Sequence, residues 1–131
     1  MKKILTLSTL ALASLALAAA TLSPSDVIKS VGKYDKKVIK VSGVVKKFQS
    51  KTSKSGSDYF MLDLTSGKDK ISVFGHGKPE KPLKDGDKIE VEGKFEKEKV
   101  LYKGQPHEKI FKNELDCSGK KGEKPHLKVI K

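Results

Sequence analysis

From Val38 to Phe95 apolar side chains recur at every second position in short blocks, separated by glycine, proline and small polar residues. Ile39, Val41, Gly43 and Val45 alternate with Lys40, Ser42, Val44 and Lys46, which predicts a first strand from Val38 to about Phe48. Gly43 within it points to a bulge or a sharp bend. A second strand, Tyr59 to about Thr65, sets Phe60, Leu62 and Leu64 on one face and Tyr59, Met61 and Asp63 on the other. After the turn Ser66-Gly67-Lys68-Asp69, a third strand from Lys70 to Phe74 turns Ile71 and Val73 inward and leaves Ser72 and Phe74 outside with Tyr59 and Met61. A fourth, Lys88 to about Phe95, buries Ile89, Val91 and Phe95 and exposes Lys88, Glu90, Glu92 and Lys94. A hairpin-like stretch with Val100, Leu101, Tyr102, Lys103 and Gly104 follows, then a fifth strand, about Glu108 to Leu115, with Ile110 and Phe111 packing.

The flanks break this period. Lys2 and Lys3 precede an apolar run from Ile4 to about Leu17 and then small residues, with Ala18-Ala19-Ala20 meeting a small-x-small cleavage rule. Residues 1–20 therefore read as a signal peptide, and the expected destination is the periplasm or the outside of the cell. The run is short for a membrane anchor and ends in alanines, so no span is expected after cleavage. Ser23-Pro24-Ser25-Asp26 caps a short helix carrying Val27, Ile28 and Val31, which Gly32 should stop. Residues 21–37 form this helix and its turn, 38–117 the single β domain and 118–131 a basic end, mobile outside Leu127–Ile130. Lys78 to Asp87, with Pro79, Pro82 and Gly86, reads as a loop rather than a helix.

Charge narrows the class of partner. All 28 basic residues are lysine and the formal net charge is +12, two units of which lie on Lys2 and Lys3. Such a surface suits nucleic acid, phospholipid head groups or acidic wall polymers. Lysine binds phosphate as a mobile point charge and lacks the two-point fork of arginine. The segment Lys46 to Ser57 holds Lys46, Lys47, Lys51 and Lys54 and no acid, and it reads as a loop between the first two strands. Between Asp85 and Glu98, by contrast, six acids outnumber three lysines, and a polyanion should avoid that side. Cys117 is the only cysteine, so no internal disulfide forms, and burial is the expected state of its thiol. His76, His107 and His126 are too scattered for a metal site, and Asp85-Gly86-Asp87 is a turn; no cofactor is expected.

Five short alternating strands suit a small antiparallel all-β barrel, closed to protect its edges. Val41-Ser42-Gly43-Val44-Val45, Thr52-Ser53-Lys54-Ser55-Gly56, Tyr59-Phe60-Met61-Leu62-Asp63-Leu64, Ile71-Ser72-Val73-Phe74 and Leu83-Lys84-Asp85-Gly86-Asp87-Lys88-Ile89-Glu90-Val91-Glu92-Gly93 together resemble the OB-fold nucleic-acid-binding superfamily, in its anticodon-binding type. The resemblance covers roughly Val38 to Leu115 and departs from the family at the proline-rich loop, where many members carry a helix. It implies a five-stranded OB-fold barrel that binds single-stranded DNA or RNA without sequence preference, on the face of strands two and three and between the loops joining strands one to two and four to five. On this chain it implies Tyr59 and Phe74 as stacking rings with Met61 beside them, Lys46, Lys47, Lys51 and Lys54 as phosphate contacts in the first loop, and Tyr102 with Lys103 in the second. Plainer readings stand beside these: Phe74 closing the barrel end, Tyr59 covering a lysine stem, and the lysines guarding an edge strand against association. An exported nuclease of the staphylococcal type shares the fold class but clamps phosphate with arginine, which this chain lacks, so no enzyme is expected. The alternative is an exported interaction module for a protein partner or an anionic envelope polymer. A monomer is expected in either case.

Overall fold

The structure is a computed structural model that describes residues 20–120 and 123–130. The signal-peptide expectation falls on residues 1–20, all but the last of which lie outside the described residues. The chain is mostly β. Its elements are β1 (Thr21–Leu22), α1 (Pro24–Lys29), α2 (Val31–Tyr34), β2 (Lys37–Thr52), β3 (Asp58–Ser66), β4 (Asp69–His76), β5 (Lys88–Leu101), β6 (Lys109–Asp116) and β7 (Leu127–Ile130). Among the described residues no helix is long and apolar enough to cross a membrane.

The seven strands form one sheet in the order β1-β2-β3-β4-β6-β5-β7, and a further pairing of β2 with β5 closes β2, β3, β4, β6 and β5 into a ring. The sheet is mixed rather than antiparallel as expected. After the β5–β6 hairpin the chain returns beside β4 in the same direction, with Ser72, Val73 and Phe74 opposite Glu114, Leu115 and Asp116, and β1 also runs parallel to β2. The alternation read along the chain sets the core. Val41, Val45, Phe60, Leu62, Leu64, Ile71, Val73, Ile89, Val91, Phe95 and Leu115 are all buried inside the ring. No single strand could bury this face alone, and closing the ring pairs each of its five strands on both sides, which leaves β1 and β7 as the ends of the sheet.

The strands run longer than the apolar periods suggest. Gln49–Thr52 pair with Met61–Asp58, so most of the expected lysine-rich loop is strand and the turn shrinks to residues 53–57. There Ser53 N–H donates to Ser57 O at 2.8 Å and Gly56 takes the left-handed conformation at φ 88°. β5 likewise continues from Phe95 to Leu101, against Leu115 to Lys109 of β6. Polar alternation hides such strands, because outside the ring neither face needs to be apolar. The expected bulge at Gly43 is also displaced. Gly43 pairs in register with Ile89, and the bulge falls between Lys46 and Gln49, where Lys47 adopts φ 55°. Gly43 instead serves close packing, since a Cβ there would lie 2.8 Å from Thr65 O.

The N-terminal helix forms as its cap requires. Ser23 Oγ accepts the Asp26 N–H at 3.1 Å and Asp26 Oδ2 accepts the Ser23 N–H at 2.9 Å. Gly32 does not stop it; the chain breaks at Ser30 and resumes as α2, with Gly32 inside that short turn. Val27 is buried, and Ser25 Oγ lies 2.7 Å from Ser66 Oγ, which seats α1 over the β3–β4 turn and leaves the opposite end of those strands free. The stretch from Lys78 to Asp87 forms no helix.

The basic C-terminal end is tied down. β7 pairs Leu127–Ile130 with Val91–Lys88, His126 N–H donates to Cys117 O at 2.8 Å, and Lys128 meets Glu90 at 3.3 Å. Cys117 itself is fully buried, and that burial, followed by the charge of Asp116, pushes its thiol up to about 12. The thiolate is the reactive form. Alkylation of the native protein at mildly alkaline pH is therefore expected to proceed no faster than unfolding exposes the residue, and rapid labelling under native conditions would count against this packing.

Candidate nucleic-acid interface

The outer face of β3 and β4 is built by cross-strand register. Met61 lies opposite Phe74 and Tyr59 opposite His76, so these four side chains project from one surface. The Tyr59 and Phe74 ring centroids are 5.9 Å apart at 36°, and His76 meets Phe74 edge-on at 5.0 Å. All three expected apolar residues, Tyr59, Met61 and Phe74, are half-buried, neither sealed in the core nor fully exposed.

The β5–β6 hairpin turns this face into a cleft. Lys99 pairs with Phe111 and Leu101 with Lys109 beyond the end of the ring, and the hairpin forms one wall. The β2–β3 turn forms the other, through Ser53, Ser55 and Ser57. Between them lies a cleft of about 580 Å³ with Tyr59, Met61 and Phe74 on one side and Tyr102 and Phe111 on the other. Tyr102 ends β5 in the left-handed region at φ 57°, with its ring 4.4 Å from that of His107. Lys51 and Lys109 line the cleft and make no ion pair among the described residues.

The expected lysines are only partly gathered here. Lys51 lines the cleft; Lys54 and Lys103 stand exposed on its two rims, next to Ser53 and Ser55 and to Tyr102. Lys46 and Lys47 do not join them. They sit at the bulge of β2, where Lys47 N–H donates to Asp85 Oδ1 at 2.9 Å, so they belong to the Leu83–Asp87 side of the molecule. The physical reason is the strand itself: from Lys46 to Lys51 the backbone advances about 3.3 Å per residue, and lysines adjacent in sequence end far apart along it.

Reading the sequence missed Lys99, Lys109 and Glu114, and it expected Ile110 to pack where the structure leaves it 53% exposed. Phe111, with Lys109 and Glu114 of the same strand, lines the cleft instead. The available signal was the hairpin: had β5 been extended to Leu101, antiparallel pairing would have set Lys99 against Phe111. Lys99 Nζ lies 5.6 Å from the Phe74 ring centroid and 3.3 Å from Glu114 Oε1. Glu114 is only 7% exposed, and burial raises its carboxyl above the usual range while Lys99 pulls it back.

A second groove of about 410 Å³ is lined by Val38, Glu92, Lys94, Glu96, Asp116 and His126, and the charges of Asp116 and Glu96 also reach Glu114. Among the described residues no three His, Cys, Asp or Glu side chains come together as metal ligands. No protein-family model matches this chain, and neither a curated protein nor a solved structure does.

Proposed function

We propose that this protein is an exported OB-fold barrel that binds single-stranded nucleic acid without sequence preference and without catalysis. The observation that carries the reading is the placement of Tyr59, Met61 and Phe74 in one cleft with Lys51 and Lys109, between the first and last hairpins of a five-strand ring. OB-folds hold single strands on the same face and between the corresponding loops. Flat rings give stacking to any base, while lysines hold the backbone without reading it.

An anisotropy titration with single-stranded DNA, an RNA oligomer, duplex DNA and an acidic polysaccharide, each at two salt concentrations, tests the reading. Preference for the single strands supports it. Equal retention of every polyanion would assign the alternative, an exported module held to an anionic envelope polymer by charge. The salt dependence is itself quantitative: each neutralised phosphate contributes about −0.7 to the slope of log affinity against log salt for a single strand. Replacing both Lys51 and Lys109 with glutamine is therefore expected to flatten the slope by about 1.4. The same change at Lys46 and Lys47 is expected to leave it nearly unaltered, and equal effects from the two pairs would remove the distinction between cleft and bulge.

A further inference from the structure

Glu114 is out of place in a surface built only to hold anions. The residue is 7% exposed, it lines the cleft, and its Oε1 accepts a hydrogen bond from Lys99 Nζ at 3.3 Å. Among the described residues no hydrogen-bond donor reaches Oε2. Among the described residues no side-chain oxygen sealed from solvent lacks a partner, so Oε2 keeps an opening, and the cleft is what Glu114 lines. The inner part of the site thus offers a free acceptor beside an ammonium donor, next to the half-buried rings of Phe74 and Phe111.

Two consequences follow from that chemistry. A carboxylate here repels phosphate, so a nucleic-acid strand enters base first and leaves its backbone outward, near Lys51 and Lys109. The base that enters meets an acceptor and a donor side by side. Cytosine answers this with its N4 amino group beside the N3 acceptor, adenine with N6 beside N1, and guanine with its N1–H and N2 amino group beside O6. Thymine and uracil have one N3–H between two carbonyl oxygens. Lys99 can satisfy one of these, and the other is left facing the carboxylate.

We infer that Glu114 and Lys99 together read the hydrogen-bonding edge of an unpaired base, giving the cleft a preference for amino-bearing bases and, among pyrimidines, for cytosine over thymine. The inference rests on the nucleic-acid reading of the cleft and refines it, since stacking and charge alone would rank the two pyrimidines together. It also gives a reason for selecting single strands, because in a duplex the same edge is occupied by the complementary base.

The test compares dC and dT homopolymer oligomers of equal length by anisotropy at mildly alkaline pH, where cytosine is unprotonated. Wild-type protein is expected to bind the dC oligomer about fivefold or more tightly than dT, in line with one good side-chain-to-base pairing. In Glu114→Gln the ratio should fall to within about twofold. An oligomer of N4,N4-dimethylcytosine, which has lost the amino donors, should bind wild-type protein like dT; this arm depends on no variant folding. Equal wild-type affinity for dC and dT, or a dC preference that survives dimethylation, overturns the inference and leaves nucleic-acid binding intact. Failure to bind any of the oligomers overturns the nucleic-acid reading itself.

Discussion

Gly93→Ala is expected to destabilise the protein by about 3 kcal/mol or more, the upper end for forcing a methyl group into a packed interior. A Cβ at Gly93 would lie 2.0 Å from Asp116 O and 2.9 Å from Cys117 Cα. Both neighbours are backbone, so no rotamer change can relieve the clash. Nor can β5 retreat, because Gly93 pairs with Ile39 of β2 on one side while Lys94 pairs with Asp116 of β6 on the other. The ring must open at the β5–β6 junction. That junction carries the hairpin holding Lys99 and Phe111 over the cleft, so ligand binding should be lost together with stability. Gly32→Ala is the control. Nothing lies within 4 Å of its Cβ position, and alanine in that helical turn should be neutral or stabilising by up to about 1 kcal/mol. Urea denaturation of the two variants decides the matter, and a Gly93→Ala midpoint equal to that of the wild type would show the junction to be looser than described.

Tyr59→Ala is expected to weaken single-strand binding roughly tenfold or more, since removing one aromatic platform costs about 1 to 3 kcal/mol per stacked base. Tyr59 is a cleaner probe than Phe74. Lys99 sits over the Phe74 ring and His76 packs against its edge, so truncating Phe74 also releases Lys99 from its place beside Glu114. A base stacking on Phe74 has to displace that ammonium, whereas Tyr59 stands at the outer end of the same face. The stability of Tyr59→Ala should stay near that of the wild type, because the side chain is half-buried on the outer surface. An unchanged affinity would leave Tyr59 as a cover for its neighbours and remove the stacking platform from the site.

The two variants probe features of different visibility in the sequence. The inward set was open to view: Phe60, Leu62, Leu64, Ile71, Val73, Ile89, Val91 and Phe95 fall on one side of the two-residue period, and all are buried. So was the shared outer face of Tyr59, Met61 and Phe74, and so was the capping serine, Ser23. The reach of β2 and β5 was not, because Gln49–Thr52 and Glu96–Leu101 carry few apolar residues, the first reading as loop and the second as a hairpin-like stretch outside the fourth strand. Lys46 and Lys47 were grouped with Lys51 and Lys54 only because they are near in sequence.

Alternation is a covalent property of an extended chain: successive side chains point to opposite sides wherever the strand is placed, so the core face and its polar reverse can be read residue by residue. Partnership across the cleft is of another kind. Lys99, Glu114 and Phe74 come from three strands, and they meet only because β6 returns parallel to β4 while β5 closes on β2. No local pattern carries that information, for the energy that selects it comes from closing the ring over a common core and is shared among all five strands.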